Sequence, residues 1–231
     1  MTKIETDQRR SLRDPRVQAV LDRLHRAARW DPLRFVRLVP KVASGLLQRK
    51  TFPEAVPPEA MKDCYIPVSR EQGRFLYLTA RALGARRVVE FGTSFGISTI
   101  YLAAAVRDNG GGMVIGTELE PSKHERAVAH LEEAGLGDVV DVRLGDALAT
   151  LKEVPEPLDL VFLDGWKDLY IPVLELLKPK LRPGAVVLGD NIFTFRKSLR
   201  PYVEYLQSGK NGFESVTLRI SDGTEYSCYL G

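Results

Sequence analysis

Asp164, Lys167 three residues on, and the adjacent pair Asp190-Asn191 are the side chains best suited to chemistry in this chain. Asp164 closes the apolar run Leu158-Asp159-Leu160-Val161-Phe162-Leu163, and Asp190-Asn191 follows Ala185-Val186-Val187-Leu188-Gly189. Two carboxylates and an amide oxygen at the tips of neighbouring strands make a hard, oxygen-only set that suits a Mg²⁺-like ion with positions left open. No histidine or cysteine is near in sequence, which argues against zinc or copper. A lysine beside such a set is placed to take a proton. Taken singly, Asp190-Asn191 also reads as a turn after a strand, and Lys167 as a surface lysine. Only the conjunction points to catalysis.

A second constellation lies upstream in Val88-Val89-Glu90-Phe91-Gly92-Thr93-Ser94-Phe95-Gly96-Ile97-Ser98-Thr99. A buried strand here ends in an acid and opens through a glycine turn into a helix, which lets the backbone approach a ligand closely. The spacing Gly92-x-x-x-Gly96 is not the G-x-G-x-x-G of a dinucleotide site. Glu90 would repel a phosphate and suits a cationic ligand, such as the sulfonium cofactor S-adenosylmethionine, which has no pyrophosphate to cradle. Glu118, at the end of the next strand, is placed to accept both ribose hydroxyls. Asp146, in Gly145-Asp146-Ala147 after the third strand, is placed to accept from the adenine amino group. Thr93, Ser94, Ser98 and Leu119 complete the candidate cofactor set. One such acid alone reads as a helix cap or a solvated strand end. Three at successive strand ends favour adenosine, because open α/β sheets bind ligands at that edge.

The elements that must position these residues alternate. Strands are expected at Arg87–Phe91, Met113–Glu118, Val139–Arg143, Leu158–Leu163 and Ala185–Leu188. Helices are expected near 97–107, 122–135, 146–152, 168–177 and 197–207. That alternation predicts a single Rossmann-like α/β domain, a mainly parallel sheet covered on both faces. Phe213–Ile220 and Thr224–Leu230 flank Ser221-Asp222-Gly223, a hairpin signal, so the last of seven strands is expected to run antiparallel. Ser69-Arg70-Glu71-Gln72 has the form of a capping box, opening a helix that ends at Gly84.

Ahead of this domain (61–231), residues 1–60 read as a basic helical arm with a proline-rich linker or lid. Asp14-Pro15 opens one helix, with Val17, Val20, Leu21, Leu24 and Ala28 at helical spacing. Asp31-Pro32 opens a second, containing Phe35, Val36 and Leu38 and broken at Pro40. Pro53, Pro57 and Pro58 then mark the linker. The net charge of +3 divides unevenly: residues 1–50 carry 13 Lys/Arg against 5 Asp/Glu, and the remainder 20 against 25. A basic arm and an acidic body suit contact between subunits, such as a homodimer, with nucleic acid the less favoured partner. No run reaches the ~20 apolar residues needed to span a bilayer. With no signal peptide and two isolated cysteines, Cys64 and Cys228, the expectation is a cytoplasmic protein that does not bind membranes.

The segment Leu158 to Tyr170, containing Asp164-Gly165-Trp166-Lys167-Asp168, and Gly189-Asp190-Asn191 after it resemble the catechol O-methyltransferase family. Glu90 to Gly96 and Thr117-Glu118-Leu119-Glu120-Pro121 match its cofactor motifs, and the similarity runs in order over roughly residues 65–195. The resemblance implies a class I methyltransferase that moves a methyl group from S-adenosylmethionine to a hydroxyl of a small aromatic vicinal diol. It implies Asp164, Asp190 and Asn191 as Mg²⁺ ligands, Lys167 as general base and Glu118 on the ribose. It also implies Val68 and Ser69 at the methionine end and Trp166 as a wall of the site. Gly165 stands where the animal enzymes have a histidine, and Ile192-Phe193-Thr194-Phe195 lacks their proline. Phe193, Phe195, Tyr65 and Trp30 are aromatic candidates for the acceptor pocket. A modified tRNA nucleoside as acceptor, or a non-catalytic cofactor-binding protein on this fold, are the alternatives.

Overall fold

A computed structural model describes residues 11–29, 62–65 and 67–231, together with Val36, Val39, Pro40, Ala43 and Ser44. The expected helix opening at Asp31-Pro32, Trp30 and the proline-rich stretch 51–60 lie outside the described residues or reach them only at those isolated positions.

After a 3₁₀ turn at Ser11–Arg13, α1 (Pro15–Ala28) starts where Asp14 accepts from the Arg16 amide, and it buries Val17, Val20, Leu21, Leu24 and Ala28. Helix α2 (Arg70–Ala82) is capped by Ser69, whose side chain accepts from the Gln72 amide. Strand β1 (Arg87–Phe91) leads into α3 (Ile97–Asp108), which is apolar all round and buried from Ile97 to Val106. Next come β2 (Met113–Glu118), α4 (Pro121–Glu133), β3 (Val140–Leu144) and the short α5 (Ala147–Thr150). Strand β4 (Leu158–Leu163) precedes a 3₁₀ turn at Lys167–Leu169 and α6 (Tyr170–Leu177). Then follow β5 (Leu181–Gly189), α7 (Arg196–Gln207), β6 (Phe213–Leu218) and β7 (Thr224–Tyr229).

The seven strands form one sheet in the order β3-β2-β1-β4-β5-β7-β6. The pairs within β1 to β5 are parallel, and β7 runs antiparallel to both its neighbours. Side chains alternate between the faces, as a strand's two-residue period requires. Val88, Val114, Leu160 and Val186 join one core with α1, α2 and α3. Val89, Ile115, Val161 and Val187 join the other with α6 and α7. The winding reverses between β1 and β4, and ligands bind outside the carboxyl ends of the strands at such a point.

Two strand starts differ from the sequence expectation. Strand β3 begins one residue later because Gly137–Val139 form a 3₁₀ turn. Strand β5 begins at Leu181, four residues early, because Leu181 pairs with Leu158 across a register shift between Leu158 and Leu160. Among the described residues, no helix is long and apolar enough to cross a membrane.

Candidate active site

The glycine turn is shaped by the neighbouring loop. Gly92 has φ +96°, and a Cβ there would lie 2.7 Å from the Gly165 nitrogen and 2.8 Å from the Asp164 carbonyl carbon. The loops after β1 and β4 thus pass backbone to backbone, joined by the Asp164 amide donating to the Phe91 carbonyl at 2.8 Å. Gly165 is fixed by the same crowding, since its Cβ would come within 2.5 Å of the Phe91 ring. A histidine at this position would therefore have to displace the Phe91 ring. A Cβ at Gly96, where φ is +82°, would meet nothing closer than 3.6 Å, so only the left-handed backbone calls for glycine there.

Ser94, also left-handed at φ 49°, donates its amide to Glu118 Oε2 at 2.8 Å. The Glu118 carboxylate accepts from the Leu119 and Glu120 amides through Oε1, which fixes its orientation at the strand end. Glu90 is completely buried beneath the turn and accepts from the Thr93 and Thr99 hydroxyls, while its Oε1 has no partner. Burial pushes its carboxyl up to about 7 against the lowering effect of the Ser98, Thr99 and Thr93 hydroxyls.

Six sequence-derived cofactor candidates, Val68, Gly92, Thr93, Ser94, Ser98 and Asp164, line one cleft at this edge. Tyr65, read from the sequence as an acceptor-side aromatic, lies in the same cleft and stacks on Phe95 at 4.1 Å. The remaining candidates lie outside the cleft lining. Gly145 donates its amide to the Glu118 carbonyl, Leu119 is half exposed, and Ala147 is buried. Asp146 is exposed and caps α5 through the Leu148 amide at 2.9 Å, and Ser69 caps α2. Both therefore have a structural task whether or not they meet a ligand. Trp166 packs partly buried against the core that holds α6 and α7.

At the tips of β4 and β5 the four chemical residues come together. The Lys167 ammonium donates to Asn191 Oδ1 at 2.7 Å, Tyr170 Oη at 2.9 Å and Asp164 Oδ1 at 3.3 Å. Asn191, at φ 63°, donates Nδ2 to Asp190 Oδ2 at 3.3 Å. Asp190 is 3% exposed, and its Oδ1 has no partner. Burial pushes Asp164 up to about 7; Lys167 opposes this and the Asp190 charge adds to it. Asp190 is also raised, again by burial first. Among the described residues, no three His, Cys, Asp or Glu side chains gather as a metal group. The set here is two carboxylates and an amide oxygen, and the orphaned buried Oδ1 and crowded negative charge fit a hard dication.

Two residues at this site were not singled out from sequence. Tyr170 is completely buried and bridges Lys167 to the Asp190 carbonyl; its three-residue spacing from Lys167 at a helix start was the available signal. Gln72 is 1% exposed and donates to Thr224 Oγ1 at 3.4 Å. Its carboxamide lies against Asp190 and favours the ionised form. The signal for Gln72 was a polar residue in register with Leu76 and Ala80 on the buried stripe of α2. Of the acceptor-side aromatics, the Phe195 ring centroid lies 5.5 Å from Lys167 Nζ, and Phe193 is 43% exposed. The Phe193 amide donates to the Asp222 carbonyl, tying its loop to the β6–β7 turn.

A sheet of this order, with a glycine turn and strand-end acids at its switch point, is the architecture of a class I methyltransferase. Residues 89–192 match a family model described as a methyltransferase domain. The chain is 41% identical over 128 residues to the catechol O-methyltransferase of Mycobacterium tuberculosis, covering 55% of this chain and 57% of that protein. It is 34% identical over 138 residues to the catechol O-methyltransferase of Niastella koreensis, covering 58% and 62%. The matches thus span less than two thirds of the length of these relatives. The solved O-methyltransferase TomG of Streptomyces achromogenes, in complex with S-adenosylmethionine, has a TM-score of 0.64 and 31% identity, covering 72% of this chain and 82% of that one. The chain belongs to the class I S-adenosylmethionine-dependent O-methyltransferases and is similar to the catechol O-methyltransferases among them.

Proposed function

We propose that this protein methylates one hydroxyl of a small aromatic vicinal diol, with S-adenosylmethionine as donor and Mg²⁺ bound beside the acceptor. The observation that carries this reading is the position of Asp164, which lines the cleft of the glycine turn and also accepts from Lys167 at 3.3 Å. One residue thus borders a cofactor subsite and a chemical subsite. When bound, the sulfonium supplies an electrophilic methyl group, and a cation held by Asp164, Asp190 and Asn191 lowers the pKa of a hydroxyl.

The protein's own residues do the rest. The turn from Gly92 to Ser94 and the Glu118 carboxylate orient the donor, with Val68 and Ser69 at its methionine end and Asp146 at its adenine. Phe193, Phe195 and Trp166 bound the acceptor and exclude water from it. Lys167 Nζ takes the hydroxyl proton, with Tyr170 Oη 2.9 Å away to accept from the resulting ammonium. Alignment of the oxyanion with the methyl group then supplies much of the acceleration.

The test is mass-detected methyl transfer from S-adenosylmethionine to a panel of catechols and caffeoyl derivatives, with Mg²⁺ and with chelator. Monomethylation of vicinal diols that stops on chelation is the expected result. No calorimetric binding of the cofactor would sink the reading.

A further inference from the structure

Lysine is a compact charge on a flexible four-carbon stem, and its rotamer freedom must be restrained if it is to meet a hydroxyl at a defined point. Lys167 has three oxygen partners, and they differ in kind. Asp164 and Asn191 are the oxygens that the proposed function assigns to a cation. Tyr170 is not. Its ring is completely buried, packed edge-on against Phe91 at 6.4 Å and Tyr202 at 5.2 Å. Its hydroxyl donates to the Asp190 carbonyl at 3.2 Å while accepting from Lys167 Nζ at 2.9 Å. Ring packing and a backbone acceptor therefore fix this oxygen from two sides, with no carboxylate rotamer involved.

We propose that Tyr170 is a positioning residue, whose hydroxyl holds the Lys167 amine at the acceptor while the Asp164 and Asn191 oxygens serve another ligand. The proposal rests on the reading of Lys167 as general base. It also explains why a buried phenol lies across the tips of β4 and β5: one oxygen ties the base on the β4 side to the backbone of Asp190 on the β5 side.

The test compares Tyr170→Phe with Tyr202→Phe. Both keep the aromatic stack and remove one buried hydroxyl, but the Tyr202 hydroxyl has no partner. Two quantities are measured: methyl transfer, with kcat and KM separated, and trinitrobenzenesulfonate labelling of Lys167 in the acceptor-free protein saturated with Mg²⁺, where the Asp164 and Asn191 oxygens are engaged by the cation. Labelling is read by peptide mass spectrometry against exposed Lys197. Tyr170→Phe is expected to lower kcat by about tenfold to a hundredfold, the scale of a catalytic group misplaced by about an ångström. Its acceptor KM and its affinity for S-adenosylhomocysteine should be unchanged, and Lys167 labelling should rise several-fold relative to Lys197. Tyr202→Phe should match wild type in both measurements. Tyr170→Phe with unchanged Lys167 labelling overturns the proposal, whatever its kcat, as does an equal loss in Tyr202→Phe. If wild type transfers no methyl group to any diol, the functional reading fails by itself, and labelling still decides whether Tyr170 anchors the amine.

Discussion

Lys167 and Asp190 lie side by side, but their removal should have different consequences. Lys167→Ala deletes the proposed base and leaves the cleft at Gly92 to Ser94 untouched. It should bind S-adenosylhomocysteine like wild type in calorimetry and lose about 10²- to 10⁴-fold in kcat at neutral pH. Asp190→Ala removes one anion from the oxygen set and should weaken Mg²⁺ binding, read directly by calorimetry, together with turnover. Glu90 gives a pH signature because its buried carboxyl is pushed from 4.5 up to about 7. Between those values the folded chain holds a proton that the unfolded chain has released, so this contribution to stability is present at low pH and is lost as pH rises toward 7. Its size is on the order of 3 kcal/mol. His25 acts in the opposite sense, since burial pushes it down to about 4. Comparison with Glu90→Gln cancels the histidine contribution: wild type should lose several degrees of Tm relative to the variant between pH 4.5 and 7 in the ligand-free state. A constant difference across that range would mean that Glu90 stays ionised.

The elements around the site impose separate demands on the two glycines of the turn. Gly92→Ala drives a Cβ to within 2.7 Å of backbone at Gly165, and backbone cannot swing aside as a side chain can. Gly96→Ala meets nothing closer than 3.6 Å and pays only for a left-handed residue, about 1 kcal/mol. Thermal unfolding and S-adenosylhomocysteine affinity should therefore be damaged far more by the first change than by the second. Both glycines were legible in the sequence, but the reason for Gly92 was not: the residue that excludes a side chain there arrives from β4, more than seventy positions later. The same distinction runs through the rest of the molecule. Runs such as Val161-Phe162-Leu163 announce buried strands because burial on both faces leaves no polar alternation. The reversed β7 followed from a local turn at Asp222-Gly223. What local pattern could not reveal is contact through space: Gln72 reaching Asp190 from α2, or Phe91 filling the room beside Gly165. The early start of β5 belongs with them, because it is set by pairing of Leu181 with Leu158 on β4.

Across the whole molecule, the basic character of the first fifty residues suggested docking on a body of opposite charge. Residues 11–29 of that region pack on the body of the same chain. Arg23 pairs with Glu133 on α4, Asp22 pairs with Arg70 on α2, and Ser11 bonds to Asp108 at the end of α3. These ion pairs are about half exposed, and such pairs contribute roughly 0–1 kcal/mol each. The apolar face weighs more. Val17, Val20, Leu21 and Leu24 are each 1% exposed within the core that holds α3, and full burial of such a side chain contributes roughly 1.5–3 kcal/mol. Hydrophobic burial therefore holds α1 in place, and the ion pairs add little. Helix α3 opens at Gly96 in the glycine turn, so α1 braces the candidate site from behind. Leu21→Ala should cost about 2–5 kcal/mol, lowering Tm at a rate of roughly 2–4 °C per kcal/mol for a chain of this size. Arg23→Ala should cost under about 1 kcal/mol. Salt separates the two mechanisms: at 1 M the Debye length is about 3 Å, so the Arg23 effect should shrink while the Leu21 effect persists. Deleting residues 1–29 should remove the whole apolar face and leave a protein that no longer unfolds cooperatively. If that deletion left Tm unchanged, α1 would be an appendage to the core rather than part of it.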